Sequence, residues 1–332
     1  MKKITRKKFL RAFGTLLAGG SVAGVTGVVA SKGFKSADDD SQSGGGSAGT
    51  SGDGYVSPYR QIASFDTGGT VEAFDEYKGQ LYIATSGKIL VTDSYGKAQA
   101  TFAVETPVRD MAVDNDDMWL LHPKSVRLLS HEGIQIRTWE ACSDLSDYCS
   151  MALAGDGVFV TDKENKNIVK YTRDGALVKF IESPNRFIIP SLTFGIGYAK
   201  GLLYCANSGR HQIEKYTLDG EYKGCFGVAG SKPGAFCGCC NPVHLTCTKT
   251  GEIITSEKGV PRISCFSDEG VFRSILLDSK ALGGGFTSYE AKISGDKVFA
   301  AGKNKITYYR YDPQLAAVGA CGDCGVECPL KI

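Results

Sequence analysis

The chain has 332 residues, 42% of them hydrophobic and 22% charged, the balance of a soluble globular protein long enough to bury a large core. Its 38 Lys and Arg nearly cancel 36 Asp and Glu, for a formal net charge of +2. The basic residues form no stripe, which argues against nucleic acid as a partner.

Residues 1–30 read as an export signal. Lys2, Lys3, Arg6, Lys7 and Lys8 precede a weakly hydrophobic Gly/Ala/Val run over residues 13–29, closed by the small Ala30. The run Thr5-Arg6-Lys7-Lys8-Phe9-Leu10-Arg11 resembles the twin-arginine translocation motif, Ser/Thr-Arg-Arg-x-Phe-Leu-Lys, with Lys7 in place of the second arginine. The resemblance implies export of an already folded chain, commonly one that carries a cofactor inserted in the cytoplasm. The general secretory route stays open, as does an uncleaved anchor, since about 18 apolar residues can span a bilayer. The expected location is periplasmic or otherwise extracytoplasmic. Residues 31–55 follow as a flexible linker rich in Gly, Ser and Asp, a composition that packs no core.

A repeat occupies residues 56–312. Short apolar cores begin at Leu81, Met118, Val158, Leu203, Ile253 and Val298, spaced by 37, 40, 45, 50 and 45 residues, a period that points to propeller blades. Gly96, Gly133, Gly175, Gly220 and Gly270 follow the first five cores at a near-constant offset, where a hairpin turn needs positive φ. An outer strand comes after each turn, starting at Lys97, Ile134, Ala176, Glu221 and Val271. The sixth unit lacks one, and RQIASF from Arg60 matches the missing strand. The expectation is an all-β, six-bladed β-propeller closed by its N-terminal strand, which removes an exposed sheet edge, and monomeric. Residues 206–220 (ANSGRHQIEKYTLDG), with Gly234-Ala235-Phe236 and Asn241-Pro242, resemble an NHL repeat. That likeness implies fold and not activity, because NHL propellers include lyases, binding domains, sensors and RNA binders.

Nine residues before each core the innermost strand should begin, placing Glu72, Arg109, Cys149, Phe194, His244 and Tyr289 around the central channel. In the amidating lyases built on this fold, axial histidines hold a catalytic metal; one histidine in the column argues against that activity. Arg109 and Asp110 at the channel mouth read either as an anion site or as a structural ion pair. Just upstream of His244 lie Cys237, Cys239 and Cys240, and the tail over residues 313–332 carries Cys321, Cys324 and Cys328 followed by Pro329. The tail resembles the last three ligands of a bacterial ferredoxin run, C-x2-C-x2-C-x3-C-P, with Val318 at the position of the first cysteine.

Three readings of these cysteines stand side by side. The first is an iron-sulfur cluster held by Cys321, Cys324 and Cys328 and completed by Cys237, Cys239 or Cys240. The second is structural disulfides, with Cys142 and Cys149 as a local pair. The third is zinc or copper on thiolates together with His244, with Cys149 within reach of the same face. Cys205, Cys225, Cys247 and Cys265 read as small hydrophobes within strands. His122, His131 and His211 read as surface residues rather than ligands, and the charges of residues 258–262 as solvated or, alternatively, as lining the face. The functional expectation is an electron carrier, or an accessory to a membrane redox complex, rather than a catalyst with its own substrate. Its rival is a binding module for a peptide, glycan or protein partner with bridged cysteines. A lactonase-like hydrolase or lyase comes third, because only Glu72 and His244 in the column suit a divalent metal.

Overall fold

The computed structural model describes residues 57–114, 117–284 and 287–319. The signal over residues 1–30, the linker over 31–55 and the tail cysteines Cys321, Cys324 and Cys328 lie outside the described residues.

Among the described residues, 24 strands form six four-stranded antiparallel sheets. The second strand of each blade is an almost unbroken apolar run that is buried from its second residue on, and Met118–His122 and Gly157–Asp162 are buried along their whole length. Burial on both faces follows from the architecture, since each blade packs between two neighbours. Trp119 and Leu121 of blade two thus share one core with Tyr148, Val158 and Val160 of blade three. Outer strands such as Ala98–Ala103 and Gln135–Glu140 are mostly exposed, so they carry Thr, Gln and Arg. Truncating a fully buried aromatic such as Phe159 costs about 3–5 kcal/mol.

The blades meet through their turn glycines. Gly96 and Gly175 have φ of 85° and 90°, and a Cβ would come within 2.3 Å of the Phe65 ring at the first and 2.8 Å of Trp139 at the second. Each ring belongs to the outer strand of the preceding blade, so the turn needs glycine both for its backbone and for its neighbour. Gly133, Gly220 and Gly270 repeat this against Phe102, Ile181 and Phe226.

The ring closes as the leftover strand implies. Tyr59–Asp66 pairs antiparallel with Lys305–Tyr311 of blade six, Phe65 opposite Ile306. Phe74, Leu81 and Ile83 of blade one pack with Phe299, Ile306 and Tyr308 of blade six. Arg60 joins Asp312 at 2.6 Å. Asp312 also caps the helix Pro313–Gly319 by accepting from the Gln314 N–H at 2.9 Å, with proline at the first helical position as helix starts favour. No helix of the described residues is long and apolar enough to cross a membrane.

Candidate functional site

Two polar regions sit on this scaffold. The first is the thiol loop between the outer strand of blade four, Tyr222–Phe226, and the innermost strand of blade five, His244–Cys247. Its anchor is Asn241, 1% exposed, which accepts from the Lys258 N–H and donates to the Lys258 carbonyl, both at 3.0 Å, and donates as well to the carbonyl of Cys237. The Cys237 N–H in turn donates to Glu257 at 3.0 Å. Glu257 is ion-paired with Arg262, both buried, and Arg262 also donates to the carbonyls of Ser231 and Ala235. His211 bonds the Gly238 carbonyl. The loop backbone is therefore held at four residues, Ser231, Ala235, Cys237 and Gly238, without the sulfurs of Cys239 and Cys240. One expectation changes here: Arg262 is a buried clamp rather than a solvated charge; His211 stays partly exposed, as expected, and adds a bond to the loop.

The clamp presents Cys239, which is exposed, beside Cys240, with their sulfurs 3.5 Å apart. Burial pushes the Cys240 thiol up, but hydrogen bonds with Lys258 and Cys239 and the Lys258 charge outweigh it, so its pKa lies below the ordinary value. Cys237 shifts the other way, raised by burial and by Glu257, and its sulfur is 3.9 Å from the Asn241 amide. The nine described cysteines are all free thiols. Cys142 and Cys149 contact Tyr148 and the Asp147 carbonyl respectively instead of each other. Among the described residues no three His, Cys, Asp or Glu side chains come together as a group able to hold a metal ion. The structure thus joins Cys239 to Cys240 and gathers neither Cys237, Cys149 nor His244 with them.

The second region is the channel, a cavity of 670 Å³ with walls from all six blades. Glu72, Arg109, Cys149 and His244 line it as the spacing implies, whereas Phe194 and Tyr289 do not. Phe194 is fully buried against Phe187, and the Tyr289 hydroxyl donates to the Leu282 carbonyl. The innermost strands of blades four and six begin at Ile196 and Glu290, and in blade six Glu290 and Lys292 line the channel. Arg109 does not pair with Asp110; it reaches Asp147 at 3.8 Å, which also holds Lys163 at 3.0 Å.

The channel carboxylates stitch blade to blade. Asp75 of blade one accepts from the Val113 N–H of blade two at 2.8 Å, and Asp110 of blade two accepts from the Met151 N–H and Ser150 hydroxyl of blade three at 2.8 and 2.7 Å. Lys292 of blade six lies 3.3 Å from Glu290 and 3.9 Å from Asp75. Burial pushes Glu290 up to about 7 against the pull of Lys292. Burial likewise pushes His244 down to about 4, with Asp110 opposing. Burial also works against the charge of Lys292, yet Glu290, Asp75 and Asp110 outweigh it and hold its pKa above the lysine range. His122, expected at the surface, is buried and bonds the Pro107 carbonyl at 3.0 Å.

No family model matches the chain, and no curated protein matches it in sequence. Among solved structures it is similar to virginiamycin B lyase from Staphylococcus aureus, with a TM-score of 0.56 and 13% identity over 76% of this chain and 99% of that one. A streptogramin B lyase is similar with a TM-score of 0.51 and 18% identity, over 74% and 94% of the two chains. At these identities the likeness is one of fold, the six-bladed propeller.

Proposed function

We propose that this chain is an exported propeller whose thiol loop and cysteine tail together hold a thiolate-ligated metal centre, an iron-sulfur cluster, and that it serves electron transfer as a carrier or as an accessory to a membrane redox complex. The observation that carries this reading is the Cys239–Cys240 pair, held by a backbone clamp that uses neither sulfur, with Lys258 favouring the thiolate of Cys240. Thiolate is the ligating form of cysteine. Two thiolates on one tetrahedral ion, with metal–sulfur bonds of about 2.3 Å, lie about 3.8 Å apart, and the 3.5 Å pair fits that spacing. A cubane cluster takes one cysteine per iron, so this pair suits a centre in which one ion takes both sulfurs. A cluster of that kind has four cysteine ligands, so two of Cys321, Cys324 and Cys328 supply the remaining pair in this reading. Cys237 serves through its backbone, and Cys149 and His244 belong to the channel.

When bound, such a cluster supplies one-electron chemistry, its potential set by burial and by N–H groups directed at sulfur. The signal-like residues 1–30 support export, and the twin-arginine resemblance accords with a cofactor loaded before export. The test is iron and acid-labile sulfide analysis with a visible absorption spectrum on the full chain purified without oxygen. Iron and sulfide in equal amounts, lost in a Cys239→Ser/Cys240→Ser variant and in a Cys321→Ser/Cys324→Ser/Cys328→Ser variant, are expected. A colourless, metal-free protein with its cysteines paired would overturn the proposal in favour of a binding module. Zinc or copper in place of iron would keep the thiolate site and remove the cluster.

A further inference from the structure

The channel has its own chemistry, independent of the thiol loop. Asp75, Asp110 and Glu290 face one cavity in which Lys292 is the cation closest to them. They do not converge as a metal group, so a single ion cannot satisfy them and an extended molecule can. Beside them are polar groups with no partner. The ring of His244, whose backbone is in the strand ladder, has no hydrogen-bond partner among the described residues. Directly opposite it in register, on the next strand, is Ser256, 2% exposed, whose hydroxyl also has no partner. Both line the cavity.

A buried hydroxyl left unsatisfied costs about 1–3 kcal/mol, and partners directly opposite across an antiparallel pair present their side chains on one face. Asp75 and Asp110 are used to stitch blades, whereas the His244 ring and the Ser256 hydroxyl are left for a ligand on one wall. The cavity volume of 670 Å³ falls in the range of about 300–1,000 Å³ typical of small-molecule sites. We propose that the axial channel binds a small organic amine, its ammonium group held by Asp110 and Glu290 and a second polar group bonded by His244 and Ser256. Glu72, Asp75, Asp110, Asp114 and Glu290 line the cavity against Arg109, Arg173, Lys249 and Lys292, and Asp110 and Glu290 on its axial wall are the carboxylates that would select positive charge. The neutral pair at the other wall reads a hydroxyl or a second amino group.

The experiment is isothermal titration calorimetry on the full chain with three four-carbon probes that differ in charge: putrescine, 1,4-butanediol and succinate. Putrescine alone is expected to bind saturably with a stoichiometry of one. Glu290→Gln and His244→Ala should each weaken it tenfold or more while circular dichroism and elution volume stay as in the parent, and Cys239→Ser/Cys240→Ser should leave it unchanged. Any of three results overturns the proposal: no saturable putrescine binding, equal binding of the diol or the dianion, or folded Glu290→Gln and His244→Ala proteins that bind as the parent does. Loss of binding with the double cysteine variant alone would assign the amine site to the loop and also overturn it. Because the thiol-centre reading is scored by metal content, the two proposals fail separately.

Discussion

Cys240 of the loop and Cys149 of the channel wall are 4% and 7% exposed, yet their thiols are driven in opposite directions. Cys149 is pushed up to about 12 by burial and by Asp147, whereas at Cys240 hydrogen bonding and the charge of Lys258 overcome burial and lower the pKa. Similar exposure of the whole residue does not mean similar chemistry. The Cys149 thiol lies deeper, where burial outweighs the nearby Lys163 and Arg109, whereas at Cys240 hydrogen bonds with Lys258 and Cys239 and the Lys258 charge overcome a weaker effect of burial. The loop uses neutral amide bonds and one buried ion pair to fix its backbone, which leaves a cation for the sulfur. At the channel wall Arg109 and Lys163 pair with Asp147, and burial with the Asp147 charge leaves Cys149 an inert thiol.

The comparison breaks most severely at the clamp. Arg262→Ala strands the buried Glu257 carboxylate and should cost about 3–5 kcal/mol in urea unfolding, with Cys239 and Cys240 alkylating faster in the native state and Cys149 unchanged. A cost under 1 kcal/mol would show that the pair does not anchor the loop. Asn241→Ala comes next: it removes the partners of the Lys258 N–H and of the Lys258 and Cys237 carbonyls, for an expected loss of about 2–3 kcal/mol on the same denaturation curve.

The channel answers to pH instead. Glu290 rises from its ordinary 4.5 to about 7 on folding, so the folded state holds the extra proton and this contribution is lost as pH rises through that window. His244 falls from 6.5 to about 4, so its contribution is lost as pH falls through its own window. Each slope is at most about 1.4 kcal/mol per pH unit, and the two oppose each other where the windows overlap. Glu290→Gln should expose an acid-labile profile between pH 6.5 and 4, and His244→Ala a decline from pH 4.5 to 7. Parallel pH–stability curves for the parent and both variants would contradict the two shifts. The smallest effect on stability is at Lys258→Met, within about 0.5 kcal/mol. It should nonetheless slow iodoacetamide labelling of Cys240 several-fold at neutral pH in the metal-free protein; an unchanged rate would remove Lys258 from the account.

The fold was legible because its signals are local. Apolar cores, turn glycines with positive φ and the unmatched RQIASF strand are each written in a few consecutive residues, and together they define six blades and their closure. The channel was legible only where blades start on the common offset, as at Glu72, Arg109, Cys149 and His244. Phe194 packs against Phe187, and the Tyr289 hydroxyl turns to the Leu282 carbonyl; both contacts are set by tertiary packing and follow no spacing rule. The alternation of Glu290 and Lys292 reads in sequence as a solvent face, and only the propeller turns that face toward an axis. Asn241, His211 and Arg262 could not be assigned as clamps from sequence, because their partners are fixed by tertiary packing and carry no spacing rule.

The central claim rests on two adjacent thiolates sharing one ion. X-ray absorption at the metal edge of the anaerobically purified full chain tests it most directly. The prediction is a first shell of sulfur alone at about 2.3 Å, reduced or abolished in the Cys239→Ser/Cys240→Ser protein. A shell of nitrogen and oxygen, a sulfur shell unaltered in that variant, or no bound metal would contradict it.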